Sequence, residues 1–233
     1  MDSFSFKTLR TALFVLLFSG VFFAVISQFT SIDVNIEDYY YDAQIHQFIW
    51  KNSWFAKQLM HTYVKDVIIV LALLLIIVVV VDIGKPISKI SAWTRIRLRF
   101  VSVAAIVIPS FISSAKQLSV MHCPWDVERY GGAVPYLRLF DMMPAHIEAG
   151  HCFPAGHAST GLWLAAFCVF WLPYHPRKAL LVFLAGLGVG FVLGWVQQMR
   201  GAHFLSHTLW SVWIASAIIL FMLCVSQSFI NRH

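Results

Sequence analysis

Residues 200–207 read Arg-Gly-Ala-His-Phe-Leu-Ser-His and place one permanent cation and two imidazoles, His203 and His207, in a single short stretch. The two histidines are four apart, so a helix through them would bring both rings to one face. Ionisable groups beside hydrocarbon are costly, and a cluster of them marks a functional site by default. The competing reading is an interfacial helix end whose long polar side chains reach for headgroups. Two further stretches carry related chemistry: Lys116, and Pro154-Ala155-Gly156-His157. Pro154 suits the first turn of a helix, where its missing N–H is not needed. The free N–H groups of Ala155, Gly156 and His157 then lie at the positive end of the helix dipole, which favours a phosphate-sized anion. Gly156 lets the backbone come close to that anion. Lys116 and Arg200 add two cations, Arg200 with a planar fork suited to phosphate oxygens. No clustered acids stand by to hold Mg²⁺, so these donors must meet the charge of a transferring phosphoryl group. That points to phosphoryl transfer by a histidine nucleophile, with no metal and no cofactor.

These residues need elements to bring them together, and the composition says which kind. The chain is 59% hydrophobic and 12% charged, with a mean hydropathy of +0.74, values of an integral membrane protein. Six apolar stretches are legible, at about residues 11–29, 67–81, 100–120, 154–172, 179–198 and 207–230. Each approaches the roughly 20 residues needed to cross ~30 Å of hydrocarbon. The first is too long for a signal-peptide core and no Ala-x-Ala-like site closes it, so it reads as a retained helix. The expected fold is all-α: one polytopic membrane domain over residues 1–233, six transmembrane helices in a bundle, with short interfacial helices in the loops. The second half of residues 31–65, which opens on an aromatic stretch from Phe48 to Phe55, reads as one of these, with Trp50 and Trp54 as belt residues.

A formal net charge of +6 invites a nucleic-acid partner, but the basic residues follow membrane topology instead. Lys7 and Arg10, the cluster Lys85, Lys89, Arg95, Arg97 and Arg99, the pair Arg177 and Lys178, and Arg232 all fall on one side of a six-span chain. The positive-inside rule makes that side cytoplasmic, with both termini. The partners expected are therefore the bilayer and no nucleic acid; the oligomeric state is left open. The three polar stretches then share the opposite side, which is what a built site needs. Gly186, Gly190 and Gly194 recur every four residues, a small-residue face for close helix packing. Cys123 and Cys152 bracket the loop between the second and third polar stretches. They form a disulfide if that side is oxidising and are two buried thiols otherwise.

The sequence resembles the type 2 phosphatidic acid phosphatase superfamily of membrane lipid phosphatases and phosphotransferases. Its pattern is Lys-x6-Arg-Pro, then Pro-Ser-Gly-His, then Ser-Arg-x5-His-x3-Asp. Lys116 followed by Cys123-Pro124 matches the first part with Cys123 at the arginine. Pro154-Ala155-Gly156-His157 matches the second with Ala155 at the serine. His203-Phe204-Leu205-Ser206-His207 resembles a His-Phe-Leu-Ser-Asp variant of the third with His207 at the aspartate. The similarity covers about residues 100–225, the expected catalytic core. The family's arginine six before the nucleophile falls on Gln197, whereas Arg200 lies three before His203. A second register makes His207 the nucleophile, with Ser211 at the aspartate position; the local wording around His203 favours the first.

The resemblance implies a lipid phosphate or diphosphate as substrate, with polyprenyl diphosphate, lipid A phosphate and phosphatidylglycerol phosphate as candidates. It implies that His203 forms a phosphohistidine, that His157 serves as acid and then base, and that His207 hydrogen-bonds His203. Lys116, Arg200 and the amides of Ala155 and Gly156 would hold the phosphoryl oxygens, with Arg129 or Arg138 of the loop standing in for the arginine lost at Cys123. Asp126, Asp141 or Glu148 would supply the missing carboxylate charge. The implied location is a bacterial inner membrane with the site on the periplasmic side. Two other readings stand beside it: a catalytically weakened anion-binding relative, and a zinc site of His157, His203 and His207 with His151.

Overall fold

The computed structural model describes residues 6–230, and the chain is predominantly helical. The helices are α1 (Phe6–Phe29), α2 (Ile32–Glu37), α3 (Lys65–Gly84), α4 (Ala92–Gln117), α5 (Gly156–Leu162), α6 (Pro176–Met199) and α7 (Leu205–Ile230). Two short strands, β1 (Tyr41–Asp42) and β2 (Gln47–Phe48), pair antiparallel between α2 and α3.

Among the described residues, five helical stretches are long and apolar enough to cross a membrane: Leu9–Phe29, Trp54–Gly84, Ala92–Gln117, Pro176–Met199 and Leu205–Ser226. The chain is a multi-pass membrane protein, and the wide apolar surfaces left on α1 and α3 are its lipid-facing sides. The expected second span is much extended. Trp54–Val64 is an eleven-residue π-helical segment that runs directly into α3. Its entry is capped by Ser53, whose hydroxyl accepts from the Ala56 N–H at 3.1 Å. The helix expected in the second half of residues 31–65 is present but begins only at Trp54, after β2 and a turn, and it continues into α3 instead of forming a separate element.

The fourth expected span takes an unusual form. α5 is followed by a 3-10 segment, Trp163–Trp171, so that seven α and nine 3-10 residues replace one long helix. At ~1.5 and ~2.0 Å rise per residue these reach roughly 28 Å, close to the ~30 Å of the hydrocarbon core. The glycine face of α6 explains how this segment packs. A Cβ at Gly186 would strike the backbone of Ala165, and one at Gly190 would strike Leu162. Gly194 turns instead to Thr208 of α7.

The core runs through the middle of the bundle. On α4, Val101, Ala104, Ile108 and Ile112 are fully buried at helical spacing, packed with Leu162, Ala165, Ala166 and Val169. A second, smaller cluster of Phe48, Val127, Tyr130 and Phe204 ties the loop after α2 and the loop after α4 to the start of α7. The ends of four helices meet beneath it: the C-termini of α4 and α6 and the N-termini of α5 and α7.

Candidate active site

Lys116 lies in the last turn of α4 and Gly156 opens α5. A Cβ on Gly156 would stand 3.8 Å from Lys116 Cδ, so the lysine lies across the free N–H end of α5. Ala155, not Pro154, is the cap residue, and Pro154 precedes the helix. The Ala155 amide is not available to a ligand, because it donates to the His207 carbonyl at 3.1 Å. The amides left at the start of α5 are those of Gly156 and His157. The same junction is fastened a second time by Ser211, whose hydroxyl is shared between the carbonyls of Ala155 and His207, each at 3.0 Å. Ser211 thus holds backbone rather than an imidazole, which removes the support for the register with His207 as nucleophile.

His203 sits in the loop before α7, so it and His207 do not share a helix face, although their rings are 5.8 Å apart. The expected hydrogen bond between them is absent. His207 is fully buried against Phe153 and Phe204 with both ring nitrogens unpartnered. His203 Nδ1 instead faces the sulfur of Cys152 at 3.5 Å. Cys152 is joined to Cys123, so the disulfide forms, and both sulfurs lie within 4.8 Å of a His203 ring nitrogen. The position that carries arginine in the family pattern thus brings a disulfide to His203. That trio is also the one group of metal-ligand type found close together among the described residues, and its sulfurs are engaged with each other. His151 is exposed, away from a zinc-binding role with the buried rings. Burial, reinforced by the like charges of His207, Lys116 and His157, holds His203 well below the ordinary histidine range. It is therefore neutral at pH 7, with a lone pair free.

Arg200 is buried at the end of α6. Its Nε donates to the Lys51 carbonyl at 3.2 Å and its Nη1 to Gln197 Oε1 at 2.8 Å. Gln197, at the family's arginine position, thus orients the arginine that replaces it. His157 lies 6.4 Å from His203, ring centre to ring centre, and the cations bearing on it are Lys65, Lys116 and Arg200.

Arg129 is elsewhere. It forks onto Asp38 at 2.9 and 2.6 Å on the exposed surface and does not replace the missing arginine. Nor do the three loop acids reach the histidines. Asp141 is bound to Gln28 and to the Arg138 amide, Asp126 contributes backbone bonds to its own turn, and Glu148 lines a separate surface hollow with Glu128.

Three contributors from the N-terminal half escaped sequence reasoning. Asp33 on α2 is buried and accepts from the Ser206 amide at 2.9 Å and from its hydroxyl at 2.6 Å, clamping the start of α7. Burial pushes this carboxyl up despite those bonds. One turn on, Glu37 is fully buried beside the Gln198 amide with neither group hydrogen-bonded, and burial with the charges of Asp33 and Asp38 pushes it well up. His61, in the π segment, lies against His157. The spacing of Asp33 and Glu37, one helical turn apart, was the available signal for a shared face.

The helix ends thus gather cations, free amides and imidazoles at one rim of a membrane bundle, the arrangement of an enzyme that handles phosphate esters of lipids. The PAP2 superfamily profile matches residues 98–230, more than half of the chain, and the protein belongs to that superfamily. Beyond the matched region, the chain is similar to the lipid A 4'-phosphatase of Francisella tularensis subsp. novicida (strain U112). The two are 24% identical over 223 residues, covering 89% of this chain and 93% of the relative. No solved structure matches it.

Proposed function

We propose that this protein is a lipid phosphatase of a bacterial inner membrane that removes the phosphate of a lipid A-type phosphomonoester through a phosphohistidine on His203. The observation that carries the reading is the convergence of Lys116, the Gly156 and His157 amides, Arg200 and a neutral His203 at one rim. Similarity to a lipid A 4'-phosphatase along nearly the whole chain favours a sugar-linked phosphate over polyprenyl diphosphate or phosphatidylglycerol phosphate.

The contact with Cys152 supports the roles of the two ring nitrogens. A disulfide sulfur carries no proton and can only accept, so the contact is satisfied with the proton on Nδ1 of His203, leaving the Nε2 lone pair as the nucleophile. Nε2 attacks phosphorus in line and the bond to the sugar oxygen breaks. His157, which takes up a proton as the anionic phosphate binds beside it, gives that proton to this oxygen. Water then attacks the phosphohistidine, His157 takes its proton, and phosphate leaves with His203 restored. Lys116, Arg200 and the α5 amides carry the charge on the phosphoryl oxygens, so the scheme calls for no metal.

The α5 and 3-10 segment forms the sixth crossing in this reading. The basic loop with Lys85 and Lys89, and Arg177 and Lys178 at the start of α6, then lie at the rim opposite the site, which makes that rim cytoplasmic. A disulfide beside His203 accords with an oxidising, periplasmic location.

The test is phosphate release from lipid A by the purified chain in detergent, without divalent cations, against a panel of phosphorylated lipids. His203→Ala and His157→Ala are expected to abolish release while remaining folded, and orthovanadate to inhibit the wild type. Full turnover by either variant would overturn the assignment.

A further inference from the structure

The ring of His61 lies 4.3 Å from that of His157, centre to centre, at an interplanar angle of 33°, the closest of the ring contacts around the site. A tilted ring contact this close restricts a ring's plane as well as its position. His61 comes from the N-terminal half, outside the residues 98–230 that match the superfamily, and from the π-helical segment. Such wide turns are rare and are frequent at functional sites. Here the wide turn is seen in the Thr62 hydroxyl, which bonds the Lys57 carbonyl five residues back at 3.1 Å. No hydrogen bond to the His61 ring is present among the described residues, so its ring face is the part the structure uses. His203, at 6.4 Å, is the other ring beside His157. His157 itself makes no side-chain hydrogen bond among the described residues that would fix its orientation.

We propose that His61 is a positioning residue of the phosphoryl-transfer site, its ring lying tilted against that of His157 and holding that imidazole in the orientation from which it reaches the leaving oxygen. The inference rests on the proposed role of His157 as the acid. It makes the π segment part of the site, so the half of the chain that the superfamily does not match supplies a component of the reaction. The charged groups around the pair are Arg200, Lys65, Asp66 and Lys57 beside His61, and Lys65, Lys116 and Arg200 beside His157. Exchanging His61 for an uncharged ring therefore tests geometry while leaving those charges in place.

The experiment compares wild type, His61→Ala and His61→Phe as full chains in detergent. Two readouts are taken: steady-state phosphate release from lipid A, and acylation of His157 by diethyl pyrocarbonate followed by mass spectrometry. Loss of orientation costs turnover rather than ground-state binding, so His61→Ala is expected to lower kcat by about tenfold or more with KM within about twofold. His61→Phe, which keeps a ring face, is expected to recover kcat to within about threefold of wild type. Acylation of His157 should quicken in His61→Ala and return to the wild-type rate in His61→Phe. Unchanged kcat in His61→Ala, or no recovery in His61→Phe, overturns the proposal. A wild-type chain that releases no phosphate from any lipid overturns the phosphatase reading instead. The labelling then decides His61 alone, and an unchanged acylation rate in His61→Ala rejects the ring contact.

Discussion

Arg97 and Arg200 are both arginines buried at helix ends in the same bundle, and they are used in opposite ways. Every nitrogen of Arg97 is engaged: Nε with the Val169 carbonyl at 3.2 Å, Nη1 with Trp93 at 3.2 Å, and Nη2 with Leu172 at 3.0 Å. The Trp93 ring lies 4.1 Å below its guanidinium. This arginine closes the carbonyl end of the 3-10 segment, and nearby Asp82 is held by Arg95 at 2.6 Å and Arg99 at 3.6 Å. At the other rim, among the described residues, both buried nitrogens of His207 and the side chains of Glu37 and Gln198 have no hydrogen-bond partner, and the bonds of Arg200 run through Nε and Nη1. Buried polar groups that are fully paired stabilise a fold, whereas unpaired ones are costly and persist where a ligand or a reaction uses them. The bundle thus has a closed end and an end with polar capacity to spare.

The sharpest way to break that comparison is to exchange one cation at each end. Lys116→Met is expected to lower kcat/KM by about 10²–10³, the usual effect of losing one preorganised charge at a phosphoryl oxygen. Its thermal midpoint, read by intrinsic fluorescence in detergent, should stay within about 2 °C of wild type. Arg97→Met should do the reverse. Stranding the Val169 and Leu172 carbonyls costs about 3 kcal/mol, seen as a midpoint lowered by roughly 6–10 °C, with kcat within about twofold in the folded protein. If both variants lose activity and stability in proportion, the two ends are not functionally distinct.

Glu37→Gln sharpens the comparison at the open end. Glu37 has its folded-state affinity for a proton raised, so the wild type is penalised as pH climbs above the ordinary glutamate range, where the unfolded chain releases the proton and the folded chain retains it. The variant is therefore expected to be stabilised more at pH 8 than at pH 5. The gain is about 1.4 kcal/mol for each unit by which burial displaces the carboxyl, read as the difference in thermal midpoint. The smallest effect belongs to Arg129→Ala. Its pair with Asp38 is about half exposed, so stability should change by less than about 1 kcal/mol and phosphate release by less than about twofold.

Lys116, Gly156, His157, Arg200 and His203 were legible in the sequence because the family-like spacing and the count of spans put them on one rim, and the structure brings them together there. The glycine face of α6 was legible for the same kind of reason, a period that matches a helix. What could not be read depends on backbone details that side-chain types do not encode. The Ala155 amide is consumed because the chain turns to meet the His207 carbonyl, and His207 packs among aromatics because α7 starts at Leu205 rather than at His203. Asp33 and His61 lie more than 90 residues from their partners Ser206 and His157, and nothing local distinguishes them from other polar residues of a loop or helix. Arg129 had the right charge and the right loop, but Asp38 is nearer to hand.

The α5 and 3-10 crossing carries one more consequence. From Gly156 to Trp171 none of its residues is exposed, so neighbouring helices enclose it on every side and no lipid touches it. Its length answers to the helices around it and not to the thickness of a membrane. A change in its pitch would therefore be passed straight to Lys116 and to the start of α7, which pack where it begins.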